Sequence, residues 1–175
     1  MVIKEAVQIG DPLLRAKAKK VTNPTSKEVK KVIADLRDSM AYHELVGMAA
    51  PQIGKKLRIF VSEIRTTKNR KAKGDPFRVY IDPEIKWRSR EQASDYEGCG
   101  SVIYSMIFGK VRRPKAVIVR ARDEKGKKFE LKASGLLARV IQHENDHLNG
   151  VLFTDKADPK TFLSRWAYIA KFKKK

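Results

Sequence analysis

Between Ser134 and Gly150 the chain reads SGLLARVIQHENDHLNG, and as a helix this segment puts Leu136, Leu137, Val140, Ile141, Glu144, His147 and Leu148 on one face. Ser134 is a residue type that caps helices and Gly150 one that stops them. The apolar stripe runs straight into His143, Glu144 and His147. Polar groups in a buried stripe cost roughly 2–7 kcal/mol each when unpaired, so the rest of the chain must wrap this helix and supply partners for its polar end.

A metal ion would be such a partner. His143-Glu144-Asn145-Asp146-His147 fits the H-E-x-x-H pattern, in which histidines one turn apart share a divalent cation and the glutamate beside the first reaches a water on it. The motif uses two of only three histidines in the chain, and the third, His43, reads as a surface or structural residue. A hydrolytic site usually takes three protein ligands and keeps one position open. After His147 there is no histidine and no glutamate, and Asp155 falls in a segment expected to turn away. That absence argues against a protease of another H-E-x-x-H clan, which would place its third ligand there.

Upstream stands Glu97-Gly98-Cys99-Gly100-Ser101, with the only cysteine of the chain. A lone cysteine is ordinarily a small buried core residue, allows no intramolecular disulfide, and suits a reducing compartment. Between glycines that let the backbone come close, Cys99 is the best third ligand. A thiolate beside two imidazoles favours iron(II), zinc, cobalt or nickel.

The other elements can be outlined. Asp11-Pro12 opens on a turn. Past Pro24, Thr25 to Glu28 fits a capping box and Val29, Val32, Ile33, Leu36 and Met40 recur at helical spacing, predicting a helix from about 26 to 43. Leu57 to Ile64 and Val79 to Ile81 read as strands, the second ended by Pro83, with a basic loop at 66–75 between them. Ala116 to Arg122 and Lys127 to Lys132 form a hairpin around Asp123 to Gly126. Phe162, Trp166 and Ile169 suggest a short terminal helix, with a basic helix and tail over about 160–175. The expected architecture is α+β, one domain over residues 1–175, with small antiparallel sheets packed around the central helix.

The 175 residues carry a formal charge of +19. Such a surface attracts polyanions, but its lysines and arginines are scattered, with concentrations at Lys68 to Lys73 and Lys171 to Lys175, and no aromatic residues interleave with them. A general basic coat is expected, with no sequence-specific contact to DNA. No apolar run spans a membrane and no signal pattern opens the chain.

Three stretches resemble the peptide deformylases in order and spacing: Gly47-Met48-Ala49-Ala50-Pro51-Gln52, Glu97 to Ser101, and His143 to His147. GDPLLR and GLLARVIQHENDHLNGVLF extend the resemblance from about residue 8 to 155. It implies hydrolytic removal of the N-formyl group from the first methionine of nascent proteins, releasing formate. One divalent ion is implied, natively iron(II), with zinc, nickel or cobalt as substitutes. Cys99, His143 and His147 would hold it, and Glu144 would be the general base. Gln52 and the Gly100 N–H would stabilise the oxyanion, although a loop-capping role for Gln52 stands beside this. Gly47 would bind the substrate backbone, and Leu136 and Val140 would be either the methionine pocket or plain core. Asp146 would pair with Arg113, while Glu97 and Ser101 would orient ligands.

Two positions depart from the family's pattern: Leu45 where it carries glycine, and Gly100 where it carries leucine. Gly100 keeps its N–H but adds backbone freedom, which predicts a wider, less preorganised site. The expected partners are formylmethionyl nascent peptides and, through the basic surface, ribosomal RNA. A cytoplasmic monomer of bacterial or phage origin is expected, or an organellar one whose presequence has been removed. The competing reading is a basic ribosome- or RNA-associated protein whose metal site is structural.

Overall fold

The computed structural model describes residues 2–66 and 74–172, so most of the basic loop expected at 66–75 and the last three lysines lie outside the described residues. Five strands, β1 (Gly47–Ala49), β2 (Ile59–Ile64), β3 (Asp75–Arg88), β6 (Ala116–Arg122) and β7 (Lys128–Ser134), make one antiparallel sheet in the order β1-β2-β3-β6-β7. A smaller sheet pairs β4 (Gln92–Glu97), β5 (Ile107–Pro114) and β8 (Leu163–Ser164). The helices are α1 (Lys27–Tyr42), α2 (Gly135–His147) and α3 (Arg165–Phe172). No helix among the described residues is long and apolar enough to cross a membrane.

Period-two alternation in the large sheet decides what packs where. Met48, Ile59, Val61, Val79 and Ile81 face one way and join Val29, Val32, Leu36 and Met40 of α1. The residues between them, Ala49, Phe60 and Tyr80, face the other way and join Val117 and Val119 of β6 with Ala138 and Ile141 of α2. A register slip of one residue would exchange the two sets, so two apolar helices on opposite faces hold the register firmly. A third cluster, containing Cys99, Val102, Val111, Leu152 and Phe153, lies under the small sheet. The central helix α2 thus packs against strands of both sheets, the arrangement expected from its apolar stripe.

Several local expectations are corrected. The cap of α1 is Ser26, whose hydroxyl accepts from Val29 N at 3.3 Å, while Thr25 turns to Asn23 at 3.0 Å, so no Thr25–Glu28 box forms. Strand β3 does not stop at Pro83. Asp82 takes a φ of 50°, and the pairing skips between Ile81 and Glu84, so Pro83 sits in a bulge that asks no ladder bond of its nitrogen. Ser134 precedes α2 but makes no side-chain cap bond; it ends β7 instead. Phe162 lies outside α3, because a 3-10 turn at Pro159–Thr161 and then β8 take up the chain before Arg165.

Candidate metal centre

Two elements bring three donor atoms together. His143 and His147 come from α2, with ring centroids 5.0 Å apart, and Cys99 comes from the turn after β4. Cys99 Sγ lies 3.2 Å from His147 Nε2, and one ligand atom from each of the three residues falls within 4.8 Å of the others. The local chain explains the approach. Strand β4 pairs with β5 as far as Glu97 opposite Gly109, and Gly98 then lies flat on the Phe108 ring, where a Cβ would come within 2.6 Å. A side chain at residue 98 would have to push that ring aside, and the next residue is delivered to the histidines.

Glu97 organises the surroundings. Its Oε1 accepts from Arg113 Nε and Arg139 Nη1, both at 2.6 Å, and its Oε2 accepts from Arg113 Nη2 at 2.8 Å and faces His143 Nδ1 at 3.0 Å. Burial alone would raise this carboxyl, but Arg113 and His143 outweigh it and hold Glu97 well below the usual carboxylate range. With Nδ1 committed to Glu97, His143 keeps Nε2 for a metal, the arrangement in which a carboxylate orients a ligating imidazole. Arg113 also reaches Asp146 at 2.7 Å, the pair expected from the sequence, and Lys156 approaches the same carboxylate at 2.7 Å. Asp155 is turned away to Arg15, and His43 Nε2 lies 3.1 Å from Lys4 O, a structural contact.

Glu144 is buried beside the donors, and its Oε2 has no hydrogen-bond partner among the described residues. Burial pushes its carboxyl up to about 7, opposed by His143. Glycine at residue 47 leaves it this place: a Cβ there would stand 2.6 Å from Glu144 Oε1 and 2.8 Å from Val140 Cγ1 and push them aside. Gln52 is anchored through Oε1, which accepts from Ala49 N at 2.8 Å, so its amide nitrogen faces Cys99 Sγ at 3.5 Å and Ser101 Oγ at 3.3 Å. The capping contact and the contact with the site are therefore made by opposite ends of one side chain.

A cavity of about 150 Å³ opens onto this cluster, and Gly47, Gln52, Gly100, Leu136, Val140 and Glu144 all line it, as do Cys99 and His143. His147 lies behind, almost fully buried. Arg139 and Tyr96 line the cavity too. Neither is apparent in the sequence: Arg139 sits inside an apolar helical run, where an arginine reads as solvent-facing, and it is drawn in by Glu97, Val111 O and Ala93 O. Beside Gly100, Leu45 Cδ1 stands 3.4 Å from where a Cβ of residue 100 would be.

The donor set fits a borderline-soft divalent ion. Burial pushes the His147 imidazole well below its ordinary value, which keeps it neutral as a ligand must be. For His143, burial acts in the same direction, but Cys99 and Glu97 override it and raise the imidazole well above its ordinary value, so a cation taken up there would have to displace a proton. One cysteine sulfur and two imidazoles that could hold an ion, next to a buried glutamate whose Oε2 is unpartnered among the described residues, are the donor set and base of the class of metal-dependent hydrolases.

Comparison with known proteins makes this specific. The pattern of the polypeptide deformylase family matches residues 3–162. The peptide deformylase of Dictyoglomus turgidum is 40% identical over 163 residues, covering 93% of this chain and 98% of the relative. A class I type b peptide deformylase from Acinetobacter baumannii, bound to Met-Ala-Ser, superposes with a TM-score of 0.83 at 30% identity, covering 89% of this chain and 98% of that one. A probable peptide deformylase from Synechococcus phage S-SSM7 gives a TM-score of 0.76 at 36% identity, covering 87% and 99%. The chain belongs to the polypeptide deformylase family, metal-dependent hydrolases that remove the N-formyl group from the N-terminal methionine of nascent proteins.

Proposed function

We propose that residues 1–175 act as one catalytic unit that hydrolyses formylmethionyl peptides, with Cys99, His143 and His147 holding one divalent ion, natively iron(II), and Glu144 as general base. The observation that carries this assignment is the unpartnered Glu144 Oε2, buried beside three converging donors in a cavity open to substrate. Bound there, the ion supplies a Lewis acid that acidifies water and polarises the formyl oxygen. Glu144 Oε2 accepts a proton from the attacking water and returns it to the departing amine, a task suited by a carboxyl near neutrality. Gln52 Nε2 and the Gly100 N–H donate to the formyl oxygen as it gains charge.

The outer edge of β1 pairs with no other strand among the described residues, so the Gly47 backbone is available to an extended peptide. Leu136 and Val140 supply the apolar wall for the methionine side chain. The charge of +19 supports residence near ribosomal RNA, and cosedimentation with ribosomes is expected to fall steeply with added salt. We read the protein as a cytoplasmic monomer.

The test is formate release from a formyl-Met-Ala-Ser peptide by iron-, nickel- and zinc-loaded protein, wild type against Glu144→Gln, with metal content measured on each. Wild-type release, and its loss in the variant with metal retained, is the expected result. No release from any wild-type form, or undiminished release by the variant, would overturn the assignment.

A further inference from the structure

Nothing in the backbone obliges residue 100 to be glycine. Its φ lies outside the left-handed region, and a Cβ would make only ordinary contacts, 3.4 Å from Leu45 Cδ1 and 3.7 Å from Ala6 Cβ. What occupies the volume beyond is Leu45. Its backbone is pinned on both sides, N–H to Met40 O at 3.0 Å and carbonyl to Arg65 Nη2 at 3.4 Å, following Glu44 at a φ of 55°. The half-buried side chain is thereby aimed across the gap between β1 and the turn after β4, with its body on the α1 core. Leu45, Val46, Gly98 and Gly100 line both the metal-side cavity and an outer groove of about 530 Å³ that continues over Phe108 and Tyr168. Leu45 and Gly100 stand on the rim between them.

We propose that Leu45 and Gly100 act as a unit, Leu45 supplying from the other side the apolar wall that residue 100 has no side chain to build, and that Leu45 sets how large an acyl group the enzyme hydrolyses. The proposal rests on the deformylase reading. An acyl oxygen received by the Gly100 N–H brings the acyl substituent to this rim. There a formyl hydrogen is accommodated and the methyl of an acetyl group meets the Leu45 side chain. One carbon more or less against an apolar wall discriminates by about 10–200-fold. A side chain at residue 100 would thus meet Leu45, and a leucine at either position would fill the same space from opposite sides.

The experiment compares kcat/KM for formyl- and acetyl-Met-Ala-Ser on nickel-loaded wild type, Leu45→Ala, Gly100→Leu and the double variant Leu45→Gly/Gly100→Leu. The acetyl peptide is also read as a competitive inhibitor, and metal content is recorded throughout. Leu45→Ala is expected to raise the acetyl-to-formyl ratio, and to tighten inhibition by the acetyl peptide, about tenfold or more with metal retained. Gly100→Leu alone, forced to displace Leu45 or fill the cavity, is expected to lose about tenfold on the formyl peptide, and the double variant to recover most of it, a non-additivity that independent sites do not show. An unchanged ratio and inhibition constant in Leu45→Ala, or additive effects in the double variant, would overturn the proposal. Should Gly100→Leu fail to fold, Leu45→Ala and Leu45→Met carry the test alone. Absence of formate release by wild type removes the deformylase reading itself, whereas wild-type release with additive variants removes only the pair.

Discussion

Glu97→Gln preserves volume and removes the charge on which the centre is built. Glu97 is 4% exposed, and two guanidinium groups lean on it, Arg113 at 4% and Arg139 at 11% exposure. In the variant, Arg113 keeps Asp146, and Arg139 keeps the carbonyls of Val111 and Ala93, among the described residues. Removing one partner of a buried ion pair costs about 3–5 kcal/mol, and the retained carbonyl contacts put this case at the lower end, about 3 kcal/mol. For a chain of this size that corresponds to a fall in melting temperature of about 6–12 °C. The same substitution takes the carboxylate from His143 Nδ1, and loss of such an orienting partner weakens metal affinity by about 10–100-fold. Thermal melts of chelator-treated protein read the first effect, and chelator competition reads the second. A melting temperature within about 2 °C of wild type together with unchanged metal affinity would refute the role given to Glu97.

Gln52→Ala is expected to lower kcat by about 10²–10³ with metal content unchanged, measured by formate release and elemental analysis. Gly47→Ala places a methyl where Glu144 Oε1 and Val140 Cγ1 now stand, and displacing a general base by about 1 Å costs on the order of 10²-fold, so kcat should fall far more than the melting temperature. In metal-free protein the Glu144 carboxyl, raised to about 7 in the fold, binds its proton more tightly than in the unfolded chain. Its contribution is full below the unfolded value of about 4.3, is lost as pH rises to about 7 and is level above. Melting temperatures of metal-free Glu144→Gln should lack this decline, and an identical pH profile to wild type would contradict it.

What the sequence made legible is what periodicity and spacing encode. Helix α1 ends within one residue of expectation, and the hairpin of β6 and β7 turns at Asp123 to Gly126, because alternation and turn residues are written locally. The clustering of Cys99, His143 and His147 was likewise legible from H-E-x-x-H and the chain's single cysteine. Strands β4 and β5 were not, for a physical reason: the inward positions of β5 are Gly109, Val111 and Arg113, and the last of β4 is Glu97, so the buried face looks polar until its ions are paired. Arg139 was hidden in the same way. The placing of Leu45 beside residue 100 joins segments 55 residues apart, which neither local sequence shows.

On the proposed function, Cys99, His143 and His147 bind one metal and leave one position for chemistry. X-ray absorption of the zinc-loaded protein reads this directly. One sulfur at about 2.3 Å with two imidazole nitrogens at about 2.0–2.1 Å and a further light-atom ligand is the predicted shell. The sulfur should vanish in Cys99→Ser. A shell without sulfur in the wild type, or one closed by a fourth protein nitrogen or sulfur, would contradict the account.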